Sequence, residues 1–184
     1  MCGRTGLFAP GVLDPHVDRL EQLREAYDAG LASLVSSHND PVPSNILFDG
    51  ERLWLIDWES AYRNDPLVDV AIVLDSIARS PDLEAVLREA WLGRAPDQVL
   101  RARLAVTRAL TRLYYAGVVL GASAPALWMT GDTYLSAPTL AELQQAVRTG
   151  RLKPGAPQTK HLLGKMFLAS FMSGVVTPGF EAAV

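Results

Sequence analysis

The chain has 184 residues, 49% hydrophobic and 20% charged, with one cysteine and a net charge of −3. That length and composition suit a single globular domain over 1–184 and exclude a disordered chain. The acidic balance excludes a general nucleic-acid binder, and the lone Cys2 excludes internal disulfides and thiolate metal centres.

The first sixteen residues lack the apolar core of a signal peptide. The most apolar stretch, Met166 to Val176, is too short to span a bilayer. The expectation is a soluble cytoplasmic protein with neither membrane nor nucleic acid as partner.

In chain order, Asp14 caps a first helix and Pro15 opens it. Its apolar face runs through Val17, Leu20, Leu23, Tyr27, Leu31 and Leu34, with Gly30 as a plausible stop. A loop follows, Ser37-His-Asn-Asp-Pro-Val-Pro-Ser-Asn45, stiffened by Pro41 and Pro43. Next comes a β-hairpin, with strands Ile46 to Phe48 and Leu53 to Trp58 about an Asp49-Gly50 turn. Asp65 and Pro66 start a helix that buries Leu67, Val70, Ala71, Leu74 and Ala78.

Further helices span Pro81 to Leu92, closed by Gly93, and Pro96 to Leu120, closed by Gly121. Thr139 and Glu142 have capping-box spacing ahead of a helix that ends at Gly150. A connecting loop, Arg148 to Gln158, leads to a last helix over His161 to Val176. The fold class is therefore α+β and mostly helical, with the polar loop and hairpin at 36–59 and helices over 65–176.

The polar loop offers the parts that phosphoryl transfer requires. A carboxylate must orient or accept the proton of an attacking hydroxyl, and oxygen ligands must hold Mg²⁺ against a triphosphate. Asp40 can be the base. Asn45, five positions on, can give its amide oxygen to the metal. His38 belongs to the same catalytic loop and can brace it by hydrogen bonds. At the far end of the hairpin, Asp57 can reach the same ion. Acidic residues crowd this region, from Asp40 through Asp49, Glu51, Asp57, Glu59, Asp65 and Asp69 to Asp75, with only Arg52 and Arg63 as cations. Such a run suits a metal or a cationic substrate.

His38-x-Asp40, four residues, then Asn45 resembles the catalytic loop of the protein-kinase-like superfamily, and Leu55-Ile-Asp57 resembles its metal-binding strand. The His-Asn-Asp form, Glu59 after Asp57 and the run Asn64-Asp-Pro-Leu-Val-Asp69 are most similar to choline/ethanolamine kinases and aminoglycoside phosphotransferases. The resemblance runs continuously from about Ser37 to Ala71. It implies the C-terminal lobe of a kinase-like fold, ATP as phosphoryl donor and Mg²⁺ as cofactor. It also implies that Asp69 holds the backbone of the catalytic loop and that Glu59 contacts a small cationic substrate.

Such enzymes further need a glycine-rich loop and a strand lysine from an N-terminal lobe. Here the first lysine is Lys153. The expectation is that the N-terminal lobe is absent and that the chain is truncated and inactive alone. The preferred substrate is choline- or ethanolamine-like, with ring faces available from Tyr62, Tyr114, Tyr115, Trp128 and Tyr134. The alternatives are an aminoglycoside, held by dispersed carboxylates such as Asp132, or a non-catalytic binding module. The module would use an apolar face along the hairpin, covered by a partner or a second copy.

Overall fold

The computed structural model describes residues 6–26, 34–78, 80–127 and 131–174. The chain forms two compact units, one over residues 24–111 and the other from residues 1–23 with 112–177.

The first unit carries the polar loop. Strand β1 (Val35–Ser37) pairs antiparallel with β4 (Tyr62–Asn64), and the hairpin strands β2 (Ile46–Phe48) and β3 (Leu53–Leu55) pair with Ile46 opposite Leu55. Everything between β1 and β4 is thereby closed into one excursion of the chain. The hairpin turn is longer than a two-residue Asp-Gly turn. Asp49 N–H donates to the Arg52 carbonyl, and the Asp49 carboxylate accepts from the N–H groups of Glu51 and Arg52. Gly50 takes φ of 103°, a conformation open to glycine at little cost. Strand β3 stops at Leu55, short of the expected Trp58, because Trp58–Ser60 winds into a 3₁₀ turn.

Helix α2 (Leu67–Ile77) begins where expected, with the Asp65 carboxylate accepting from Leu67 N–H at 2.9 Å. Helix α3 (Pro81–Leu92) matches its expected bounds, capped by the Ser80 hydroxyl and closed by Gly93 at φ 68°. Val70, Ala71 and Leu74 pack with Leu104 to form the core of this unit. Arg108 binds Asp75 at 2.5 Å and Glu84 at 2.8 Å, joining the start of the next helix to α2 and α3.

In the second unit, α1 (Asp14–Ala26) follows the Asp14-Pro15 signal. Its expected apolar face is only partly used, since Leu23 is fully buried while Val17 and Leu20 are exposed. Tyr27, Gly30 and Leu31 lie outside the described residues.

Helix α4 (Gln98–Leu127) does not stop at Gly121. Leu120, Ser123 and Ala124 are buried, and Leu120 and Ala124 share a core with Leu7, Phe8, Ala116 and Leu168. Keeping Leu120 and Ala124 on one face requires helix beyond position 121. Burying a leucine contributes about 1.5–3 kcal/mol, against about 1 kcal/mol lost at a helical glycine. The packing wins.

Helix α5 (Leu140–Arg148) has both bonds of the Thr139–Glu142 capping box. Helix α6 (Pro157–Gly174) starts four residues earlier than expected, with Pro157 in its first turn.

Helices α4 and α6 cross closely at Gly164. A β-carbon there would stand 2.4 Å from Leu120 Cγ and 3.2 Å from Val119 Cγ2. The blocking atom is a branch carbon, so a small rotamer change does not clear it. Gly164→Ala should lower stability by about 1–3 kcal/mol, as overpacked cores do. Chemical denaturation of Gly164→Ala with and without Leu120→Ala checks this. The second change should make the alanine less damaging than it is alone.

Candidate active site

The polar loop is built from the backbone outward. Ser37, the last residue of β1, is buried, and the next two N–H groups leave the strand ladder. Both find the same side chain. Asp69, in the first turn of α2, accepts from His38 N–H at 2.9 Å and from Asn39 N–H at 2.7 Å. Asp69 itself is 8% exposed, so these are buried, charge-assisted bonds that fix where the loop starts.

His38 faces the other side of the excursion. Its Nε2 lies 2.8 Å from the Ile56 carbonyl, and its Nδ1 accepts from Asp40 N–H at 3.3 Å. An acceptor at Nδ1 means that Nε2 carries the ring proton and donates to Ile56. Both nitrogens are thus occupied, and the ring also packs against Trp58 at 4.7 Å between centroids. In this arrangement His38 is a brace and has no free lone pair for proton transfer.

Asn45 ends the loop, in the 3₁₀ turn Pro43–Asn45. Its Nδ2 donates to the Asp40 carboxylate at 3.1 Å and to the Asp40 carbonyl at 3.0 Å. With the nitrogen turned to Asp40, the amide oxygen faces away from it, meeting only a long 3.5 Å contact from the Ser44 hydroxyl.

The hairpin then brings back Asp57. Ile56 N–H donates to the Asn45 carbonyl at 2.9 Å, extending the β2–β3 register by one pair. The Ile56 peptide is therefore gripped by Asn45 through its N–H and by His38 through its carbonyl. Asp57 follows directly. It adopts φ 62° and ψ 63°, left-handed backbone that is costly for most residues but tolerated by Asp and Asn. Its carboxylate is exposed and has no hydrogen bond among the described residues. Glu59 lies in the 3₁₀ turn that follows and is also exposed.

The acidic crowding divides on inspection. Asp49 organises a turn, Asp65 binds Arg103 at 3.0 Å, Asp69 holds backbone N–H groups, and Asp75 binds Arg108. Those four are structural. Asp40 sits beside Asn45, and Asp57 with Glu59 turns toward solvent. No group of three or more His, Cys, Asp or Glu residues suited to a metal occurs among the described residues. The expected donor set is instead one amide oxygen, from Asn45, and one carboxylate, from Asp57. It suits Mg²⁺, which takes one or two protein oxygens and completes its shell with phosphate and water.

The other unit offers the proposed ring faces little convergence. Tyr114 and Tyr134 are exposed, Tyr115 stacks on Phe167, and Trp128 lies outside the described residues. Asp132 is already engaged within its own unit, with Lys165 Nζ and His161 Nε2 both at its Oδ2. Sequence reasoning missed β1 and β4, and with them Asn39 and Asn64, whose side chains meet across that pair at 2.7 Å.

A mostly helical α+β chain with this loop and hairpin has the kinase-like phosphotransferase fold. The chain belongs to the phosphotransferase enzyme family, whose model matches residues 4–106. It is similar to the crystal structure of a choline/ethanolamine kinase family protein from Mesorhizobium loti. That match has a TM-score of 0.64 at 21% identity, over 95% of this chain and 50% of that one. It is also similar to Protein LicA of Haemophilus influenzae, 41% identical over 54 residues, 29% of this chain and 20% of LicA. An uncharacterized protein of Metamycoplasma hominis is 30% identical over 70 residues, 38% of this chain and 14% of that protein. The chain thus spans about half of the solved relative and a fifth or less of these two sequences. No helix among the described residues is long and apolar enough to cross a membrane.

Proposed function

We propose that this chain carries the acceptor- and metal-binding half of an ATP-dependent phosphotransferase acting on a hydroxyl of a small cationic molecule. The observation that carries the reading is the double grip on Ile56, which ties Asp57 to the loop bearing Asp40 and Asn45. Asp40 accepts or orients the proton of the acceptor hydroxyl, and the Asn45 amide holds the Asp40 carboxylate in one orientation. The oxygens of Asn45 and Asp57 would hold Mg²⁺. That ion would neutralise charge on the triphosphate of ATP.

Glu59, exposed beside this site, is the substrate-facing acid, and a choline- or ethanolamine-like ammonium is the favoured partner. The aminoglycoside alternative loses Asp132 as a contributor. The binding-module alternative draws on Leu47, Phe48, Leu53 and Trp54, which leave the hairpin 49–69% exposed. On this reading that apolar face is where a nucleotide-covering lobe rests.

With no lysine before Lys153, the chain by itself should not turn over ATP appreciably. A sustained ATP-dependent phosphorylation by the purified chain would overturn that. Metal binding is separable from turnover. Mn²⁺ titration followed by electron paramagnetic resonance should show one saturable site, weakened at least about tenfold by Asp57→Asn and by Asn45→Ala. Absence of saturable binding by the unaltered chain sinks the metal assignment. Calorimetry with choline, ethanolamine and an aminoglycoside distinguishes the substrate classes.

A further inference from the structure

We infer that Asn39 is a positioning residue that sets the spacing between the catalytic loop and the turn bearing Asp57 and Glu59. The inference rests on the proposed metal and acceptor roles of that site.

Only two non-glycine residues among those described have positive φ, Asn39 at 65° and Asp57 at 62°. They stand at the two places where the chain must turn into the site. Asn39 is 9% exposed, and its side chain is fully engaged. Its Nδ2 donates to the carbonyls of Ser37 at 3.1 Å and Ser60 at 3.0 Å, with a longer 3.4 Å contact to Tyr62. Its Oδ1 accepts from Asn64 Nδ2 at 2.7 Å. Asn64 is held in turn, its Oδ1 accepting from Asp65 N–H at 2.9 Å. Since Asn64 must present oxygen to Asp65, it presents nitrogen to Asn39, and Asn39 must then present its nitrogen to Ser60. The orientation of both amides follows from one backbone N–H.

The consequence is a second strut. His38 grips the Ile56 carbonyl immediately before Asp57, and Asn39 grips the Ser60 carbonyl three residues after it. The αL turn at Asp57 is held from both sides, by adjacent residues of the loop that also supplies Asp40. Left-handed backbone away from glycine persists where its surroundings enforce it, and here the enforcing groups are identifiable. Removing one strut should loosen the turn while leaving the Asp69 anchor of the loop intact.

The test uses the whole chain and two variants. Asn39→Gly keeps the left-handed backbone and removes the strut. Asn64→Asp is isosteric and still accepts from Asp65, but it sets oxygen against the Asn39 oxygen and so turns the Asn39 amide away from Ser60. Hydrogen exchange over residues 54–62 should quicken about tenfold or more in both variants, with α2 protected as before. Mn²⁺ affinity should fall about 10–100-fold in Asn39→Gly, the range for groups that orient metal ligands, and less in Asn64→Asp.

A merely structural role would instead lower protection throughout residues 34–78 and leave metal affinity of the folded fraction unchanged. That result overturns the inference, as does unaltered exchange and affinity in both variants. If the unaltered chain binds no Mn²⁺, the metal reading falls and this inference falls with it. If it binds and Asn39→Gly binds equally, only this inference fails.

Discussion

Replacing Asp132 by Asn should destabilise the protein by about 1–3 kcal/mol, because the buried Lys165 loses the charged partner of its ion pair. Asp132 Oδ2 is shared by Lys165 Nζ and by His161 Nε2 at 3.0 Å, and the side chains of Lys165 and His161 are 7% and 10% exposed. Asparagine leaves the ammonium of Lys165 buried against a neutral amide. The residue also acts through its backbone. Asp132 N–H donates to the Leu7 carbonyl at 2.8 Å and its own carbonyl accepts from Ala9 N–H at 3.0 Å, while His161 stacks on Phe8. One residue therefore fastens both the segment before α1 and helix α6.

The same carboxylate gives a pH dependence. Desolvation by itself raises its pKa, but the hydrogen bonds from Lys165 and His161, the Tyr134 N–H and the charge of Lys165 together hold it at about 2. A folded pKa below the unfolded value near 3.9 means that the unfolded chain binds the proton more readily. The contribution is fully present above about pH 4 and is lost as pH falls toward 2. Thermal melts from pH 5 to 2 should show this loss in the unaltered chain. A smaller dependence is expected in Asp132→Asn, and equal slopes in the two proteins would contradict the assignment.

Asp69→Ala should be at least as damaging, and for a different reason. It leaves the N–H groups of His38 and Asn39 buried without an acceptor, each at about 1–3 kcal/mol. Asp69→Asn is the informative companion. It keeps the shape and one acceptor oxygen, so it should recover part of the stability. Because these N–H groups fix the start of the polar loop, Mn²⁺ binding at the proposed ligands Asn45 and Asp57 should also fall in Asp69→Ala at temperatures where the protein is still folded. Denaturant titration and metal titration on the same samples check both parts. A stability loss with unchanged metal affinity would separate the anchor from the site.

What was legible in the sequence was local. Pro81 with Gly93, the Thr139–Glu142 box and Asp65-Pro66 all act within a turn of the helix they begin or end, so their chemistry can be read from spacing alone. The loop's polar residues stand out by their spacing, whereas Asp69 as the holder of its backbone, some thirty positions away, is implied only by the family resemblance. Features decided by distant partners were not. β1 is only Val-Ser-Ser, with no alternating apolar pattern, and becomes a strand because residues 62–64 lie against it. Gly121 reads as a stop until Leu120 and Ala124 are seen to share one core. Asn39 gains its role from carbonyls more than twenty positions away. Asp132 reads as a spare carboxylate until Lys165 and His161 are folded onto it.

The division into units bears on how the chain acquires its structure during synthesis. Residues 24–111, the described part of the first unit, are contiguous, so they leave the ribosome in a single run. The second unit cannot close until residues 1–23, made before the first unit, are joined by residues 112–177, made after it. Contacts of that sequence separation carry a loop-closure entropy that must be overcome before they stabilise anything. Nascent chains halted once residue 111 has cleared the ribosome should therefore hold a formed polar loop, while Leu7 and Phe8 still await their partners.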